Sequence, residues 1–483
     1  MHSYGRSRGR IRVTTAVFSF VFLSACAVGP DHEKPIVAIP HNIVGKGDLD
    51  YKREVYWWTR AGDKDLITLI DLVLTDNLTL KMALARIDAA QAQAAIARST
   101  LFPNASYSSS FMTNKGPSAF GPSPAAFNGQ LAPTLTWSPD FWGRTRRQVE
   151  AAEAMVKSQE ESFRAATVLI VGQVAGTYLQ LRAAEQQLDS TRRFLTRLRS
   201  ELQEIKKRTP PPPVTIISPL EAFLSQLEAS IPNLLGSIED SENTIRALSA
   251  RPELRLRKGV ALSEFRTPVM PRAISSTLLL RRPDVIQAEH ILIAQNASVG
   301  AAMAAYLPQL SLSLAGGGGL SGLASGAVPS AAGTAINATA GLLGPIFNAG
   351  AIDAGVSAAN SAKKEALLNY RNILINAYLE ARTAIVRYNS SGKAVAAYRK
   401  ALNATLAAEA LVQAQVDKDP GQIGALLALQ QQEFAGRQAL IGAQLAQFNA
   451  LINVYKSLGG PWIDVWARRS LESEKPEAGQ AKN

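Results

Sequence analysis

Cysteine is almost missing from this chain: Cys26 is the only one among 483 residues. Disulfides within one copy and cysteine-based zinc sites are therefore excluded, and the fold must hold by packing alone. Histidine is nearly as scarce. Beyond His2, the chain has His32, His41 and His290, far apart in sequence and without metal-ligand spacing, so neither a metal nor a cofactor is predicted. The glycine run Gly316-Gly317-Gly318-Gly319-Leu320-Ser321-Gly322 has no Lys-Ser/Thr after it, which argues against a phosphate loop. There is also no Gly-x-Ser-x-Gly elbow. No catalytic constellation survives, and no nucleotide site is present to drive work, so the chain is not expected to be an enzyme. The formal charge is +12, yet basic residues are scattered along helical stretches with no aromatic–basic cluster among them. That pattern reads as solvated helix faces and predicts no nucleic-acid partner.

Long apolar runs are also lacking. Val13 to Ala25 is too short to span a bilayer as a stable helix. It follows a basic segment with Arg6, Arg8, Arg10 and Arg12 and no acid, so residues 1–25 read as a signal peptide. The closing Leu23-Ser24-Ala25-Cys26 resembles the lipobox of bacterial lipoproteins. The resemblance implies cleavage between Ala25 and Cys26, a diacylglycerol on the Cys26 thiol and acylation of the new amine. Several acyl chains on one residue anchor a protein stably in lipid, where one binds only marginally.

What the chain does contain is one short pattern written twice. Leu101-Phe102-Pro103-Asn104-Ala105-Ser106 corresponds to Tyr306-Leu307-Pro308-Gln309-Leu310-Ser311, each after an Ala/Gln-rich run. Downstream, Pro139-Asp140-Phe141-Trp142-Gly143 matches Pro345-Ile346-Phe347-Asn348-Ala349-Gly350, and Tyr178-Leu179-Gln180-Leu181-Arg182 matches Tyr378-Leu379-Glu380-Ala381-Arg382. A period of about two hundred residues is too long for a solenoid and indicates a duplicated half-molecule. The expected division is a signal peptide at 1–25, a lipid-anchored tether at 26–62, repeats at 63–260 and 261–462, and a polar tail at 463–483.

Within each repeat the periodicity switches twice. Helix is predicted over about 64–98, then strands at 101–113 and 128–138, with Leu131, Leu135 and Trp137 alternating against Thr134 and Thr136. A long helix follows over 144–208. Its seam has Leu181, Leu188, Leu195 and Leu202 every seven residues and Ala184, Thr191, Leu198 and Ile205 at the companion position. Pro210-Pro211-Pro212-Pro213 ends it, and a return helix spans about 216–248. The second repeat predicts helix to about 305, strands at 306–315 and 334–347 around a glycine-rich loop, a long helix over 351–416, and a return helix over 423–458.

Four alternating strands per chain have the length and period of strands crossing an outer membrane. Four cannot close a barrel, and open edges in lipid are costly, so membrane-embedded strands would demand a shared barrel. Water-soluble hairpins would remove that demand. The segments Cys26-Ala27-Val28-Gly29-Pro30-Asp31-His32, the paired proline segments, Pro345 to Gly350 and Tyr455-Lys456-Ser457-Leu458-Gly459-Gly460-Pro461-Trp462 together resemble the outer-membrane efflux lipoproteins, the NodT branch of the TolC superfamily. The resemblance covers essentially the whole mature chain. It implies a mainly α fold with membrane β: a homotrimer with a long α-helical coiled-coil barrel and a twelve-stranded outer-membrane β-barrel. It further implies outer-membrane localisation, a periplasmic adaptor and an inner-membrane resistance-nodulation-division pump as partners, and a passive exit duct for small toxic molecules or drugs.

In that family the turns between long and return helices form a periplasmic aperture, often with an acidic ring that favours cations. The corresponding positions here are Pro213 and Thr215 in the first repeat, and Asp417, Asp419, Gln422, Ala425 and Ala428 in the second. Ala428 stands where the family usually has Asp, which puts cation selectivity in doubt. Asp417 and Asp419 offer acidity nearby, and equally suit turns by local hydrogen bonding. Two other readings fit parts of the pattern: an exit duct for an ATP-driven secretion system, and a lipid-anchored periplasmic coiled-coil scaffold without a pore.

Overall fold

The computed structural model describes residues 27–44, 62–114, 126–207, 214–265, 274–323, 330–416 and 419–459. Ala25, Cys26, Trp57, Trp58, Pro213, Asp417 and the polar tail lie outside the described residues. The chain divides into two compact units, one made of 1–30, 98–148 and 298–356, the other of 31–97, 149–297 and 357–483.

The first unit is built on one antiparallel sheet in the order β2-β3-β5-β6, formed by β2 (Asn104–Asn114), β3 (Ala126–Trp137), β5 (Gln309–Leu323) and β6 (Ser330–Leu343). Each repeat contributes one hairpin, and the hairpins join through β3 and β5. The expected glycine loop is mostly strand: β5 runs through Gly316–Gly319 with a register shift between Gly317 and Gly319. A glycine-rich segment has little intrinsic strand preference. β5 is extended because β3 and β6 hydrogen-bond to both its edges, Gly319 facing Gln130 and Ala332. At Gly129 the missing side chain is filled by a neighbour: a Cβ there would lie 2.7 Å from the Phe111 ring.

The second unit is helical. Asp63 begins α1 (Lys64–Asp76), its carboxylate accepting from the Asp65 and Leu66 amides at 2.8 and 3.2 Å. The single helix expected over 64–98 is two, because Asn77 separates α1 from α2 (Leu78–Ser99). Asn77 N–H donates to Val73, its Oδ1 caps Leu80 N–H at 3.0 Å, and its Nδ2 donates to the Leu248 carbonyl at 2.7 Å. One asparagine thus ends a helix, starts the next and ties both to the end of α4 (Val214–Leu248). The long elements are α3 (Arg144–Lys206) and α6 (Ala351–Val416), and the others are α5 (Pro283–Met303) and α7 (Ile423–Ser457). The order helix, strand, strand, long helix, return helix occurs twice. A short β1 (Asn42–Val44) pairs with β4 (Ile274–Ser275) and holds the N-terminal segment to this unit.

Two hydrophobic clusters organise the helices. The larger joins α1, α2, α3, α5, α6 and α7 around fully buried Leu66, Ile70, Phe163, Tyr178 and Tyr370. The smaller packs Leu195, Leu198, Leu202 and Ile205 of α3 against Leu220, Leu224 and Leu227 of α4 and Val416, Ile423, Leu426 and Leu427 at the α6–α7 turn. Both heptad positions read from sequence are buried throughout, from Leu181 to Ile205. Asp63 also accepts the buried Tyr178 hydroxyl at 2.8 Å, and burial followed by that bond pushes the phenol well above its ordinary range. Replacing Asp63 with Ala removes a helix cap and leaves the Tyr178 hydroxyl unpartnered. The expected loss is about 2–4 kcal/mol in denaturant unfolding of this protein, whereas Asp65→Ala should cost under about 0.5 kcal/mol.

Candidate functional site

Register decides what the sheet can do. Pairs such as Tyr107–Pro133, Phe111–Gly129, Leu135–Leu314, Trp137–Leu312 and Gly316–Ile336 place the large apolar side chains on one face. Pairs such as Ser106–Thr134, Ser110–Gln130, Thr136–Ser313 and Ser313–Thr339 place hydroxyls and amides on the other. Met112 and Leu343, near strand ends, are exceptions on the polar face. Among the described residues nothing covers the apolar face at Tyr107, 79% exposed, Phe111, 83%, or Ile336, 79%. A sheet of 11- to 15-residue strands with one oily and one wet face has the make-up of an outer-membrane barrel wall.

The residues that follow Cys26, the expected lipidation position, are seated in the same unit. Val28 N–H donates to the Trp142 carbonyl at 3.0 Å, and Arg147 donates to the Val28 and Gly29 carbonyls at 3.3 and 3.2 Å. Gly29 has φ +105°, and a Cβ on it would lie 2.4 Å from Gly300 Cα. Ala27 lies against Gly143, where a Cβ would come within 2.6 Å. Small residues therefore let the chain next to Cys26 lie directly on backbone at the foot of the sheet's connections.

At the other candidate site, Val416 closes α6, a 3₁₀ turn spans Pro420–Gln422 and α7 begins at Ile423. Asp419 stabilises the turn itself: its N–H donates to Gln415, its carbonyl accepts from Gln422 N–H, and its Oδ1 accepts from Gly421 N–H at 2.9 Å. That is the local hydrogen bonding which favours aspartate in turns. Its carboxylate is nevertheless exposed, as are Gln422, Ala425 and Ala428, while Ile423, Leu426 and Leu427 are buried. The four sequence-selected residues thus share the open side of the turn, and Thr215 lies in the first turn of α4. Among the described residues no His, Cys, Asp and Glu group could hold a metal ion. None of the described helices is long and apolar enough to cross a membrane.

Residues 69–209 and 274–460 match the outer membrane efflux protein family. The chain belongs to that family. The cation efflux system protein CusC of Escherichia coli O157:H7 is 28% identical over 464 residues, covering 91% of this chain and 96% of its own length. The solvent efflux pump outer membrane protein SrpC of Pseudomonas putida is 25% identical over 460 residues, covering 92% and 97%. The open-state structure of the MtrE outer membrane channel of Neisseria gonorrhoeae superposes with a TM-score of 0.82 at 24% identity, covering 90% of this chain and 99% of that one. This efflux protein therefore has the fold of the TolC-superfamily channels and serves as an outer-membrane exit duct.

Sequence reading misses a half-buried ion cluster joining α3, α6 and α7 around Arg197, in which Glu433 is the buried member. Its only traces in the sequence are the i,i+4 pairs Arg197–Glu201 and Glu433–Arg437. Pairing across more than two hundred residues carries no local signal. For the seat behind Cys26, Gly29→Ala should release residues 27–30 without loss of helix content. The expected readout is faster proteolysis or hydrogen exchange at this segment, with unchanged far-ultraviolet circular dichroism.

Proposed function

We propose that three copies of this efflux protein assemble around one axis, each lending four strands to a twelve-stranded barrel and its long helices to a periplasmic tube. The observation that carries this is the two-faced sheet whose β2 and β6 edges pair with no other described strand, and four strands cannot close a barrel. Support comes from α6, where Leu368, Ile375, Leu379 and Val386 are exposed at spacings of seven, four and seven. At about 100° per residue they form one line along the helix, the pattern of a coiled-coil seam awaiting a partner helix. Cys26 carries the lipid that tethers each copy to the outer membrane, while the strands insert beside it. The helix tips at Thr215 and at Asp419, Gln422, Ala425 and Ala428, with Pro213 and Asp417, form the periplasmic aperture and dock a periplasmic adaptor. Through that adaptor the duct is coupled to an inner-membrane pump of the resistance-nodulation-division class.

Cargo moves through a lumen of Ser, Thr, Asn and Gln, and the duct is passive. Its two named relatives serve cation and solvent efflux, which fits a conduit that leaves selection of small toxic compounds to its pump. Alanine at 428 leaves Asp417 and Asp419 as the acids of the aperture, so weaker cation preference than an acidic ring would give is expected.

Deleting the gene should raise accumulation of a fluorescent efflux dye in the native host, and complementation should restore it. Unchanged accumulation alongside loss of secreted proteins would point instead to a secretion duct. Leu131→Arg, at mid-strand on the apolar face, should cost about 2–4 kcal/mol near the bilayer midplane and deplete the protein from outer-membrane fractions. Thr134→Arg, on the polar face of the same strand, should insert normally and alter single-channel conductance.

A further inference from the structure

In the tip-ward half of the helices, α3, α6 and α7 enclose a charge cluster that the exit duct does not by itself require. Arg197 Nη2 meets Glu433 Oε2 at 2.9 Å and Glu409 Oε1 at 3.4 Å, and its Nε lies 3.8 Å from Glu201 Oε1. Arg437 Nε meets Glu433 Oε1 at 2.5 Å. Arg197 also sits 5.2 Å above the Phe194 ring, which stacks on Phe434 at 4.7 Å. From α4 the edge of Phe223 closes the aromatic group, while the acid Glu228 is turned to Arg199. Three carboxylates therefore face two guanidinium groups. One negative charge is left over where the Glu433 side chain is only 5% exposed.

A second observation lies beside it. Gln430, itself 2% exposed, donates from Nε2 to Glu201 Oε1 at 3.0 Å. The other two oxygens of this pair, Glu201 Oε2 and Gln430 Oε1, are both buried without a hydrogen-bond partner. Both are acceptors, so neither can satisfy the other while Glu201 is ionised. A carboxylic acid and an amide, by contrast, close a ring of two hydrogen bonds. A single proton on Glu201 Oε2 would pair both orphan atoms and neutralise the leftover charge.

We propose that Glu201 is a proton-binding site, its acid paired with the Gln430 amide, and that this proton clamps α3 to α7 when the helices are packed. Burial raises the Glu201 carboxyl above its ordinary range, with Glu433 adding to it and Arg197 and the Gln430 bond opposing. Glu409 shifts the same way, through burial and then Glu433. Burial would raise Glu433 too, but Arg437 and Arg197 outweigh it and hold it low, so it stays ionised. A carboxyl raised in the packed state binds its proton more tightly there than in separated helices, where its range is about 4.3. The clamp is complete below that ordinary range and is lost as pH rises through the raised value. Acidic surroundings hold the helix ends together, and alkaline ones loosen them.

The test uses the full-length lipoprotein in detergent and in liposomes. Infrared difference spectra should show a protonated-carboxyl stretch at mildly acidic pH that is missing from Glu201→Gln, since glutamine replaces the acid's O–H by a permanent N–H. Between about pH 5 and about pH 8, which brackets a raised carboxylate, the wild-type thermal midpoint should fall by about 2 °C or more. In Glu201→Gln that fall should be clearly smaller. Absence of the infrared band in wild type would overturn the proposal whether or not the variant folds. Equal pH slopes in the two proteins, or a midpoint that follows sodium concentration instead of pH, would also overturn it. Its bearing on gating rests on the aperture reading above. An infrared band present together with pH-independent channel conductance would uphold the proton site and count against that gating role alone.

Discussion

A strand at the margin of a sheet presents unpaired N–H and C=O groups, and in hydrocarbon each costs several kcal/mol. Among the described residues the sheet β2-β3-β5-β6 has two such margins and an apolar face open at Tyr107, Phe111 and Ile336, so neither water nor lipid suits one copy alone. In the proposed assembly, lipid would satisfy the face and a neighbouring copy the margins. The rest of the architecture is compatible with that one requirement. Duplicated halves supply matching hairpins, the long helices continue from the strands, and α6 keeps an apolar line free for a second contact. A lipid on Cys26 would bring the strands to the membrane before their margins are paired, when an exposed sheet edge is most prone to aggregate.

Along the helices the chemistry changes with position. The larger cluster is apolar and holds its polar groups in fixed pairs, as Asp63 holds Tyr178. Toward the turns the packing becomes mixed, with Phe194 stacked on Phe434 and Phe223 edge-on to both, beside a group of charges that is one positive charge short. Partly satisfied buried charge is sensitive to small changes in its surroundings. It lies between α3, α6 and α7, a short distance from the turns, where the proposed opening and closing of the helix ends would act on it. Asp419, by contrast, is already engaged in its own turn.

How much of this was legible in the sequence depended on how local each signal was. The seam from Leu181 to Ile205 was plain because burial at every seventh residue is the direct consequence of helix geometry. The helix ends near Arg144, Ala351 and Val416 were plain for similar reasons of Gly, Pro and turn chemistry. The break at Asn77 was not, because an asparagine inside an apolar period becomes a cap only when the Leu248 carbonyl is there to receive it. The glycine-rich part of β5 has the composition of a loop, because its extension is imposed by both neighbours. At the α6–α7 turn, the sequence singles out Asp419, Gln422, Ala425 and Ala428, and the structure leaves all four exposed. It gave no sign that Glu201 and Gln430 meet.

The central claim is that the β2 edge of one copy pairs with the β6 edge of the next in the outer membrane. The most direct measurement is a cysteine scan, with one cysteine along β2 and one along β6 of the full-length protein, oxidised in intact outer membranes and resolved without reduction. Covalent species up to a trimer, appearing at every second position along a strand as the side-chain period requires, are the predicted result. Only monomers at every pair, in a protein that still fractionates with the outer membrane, would contradict it.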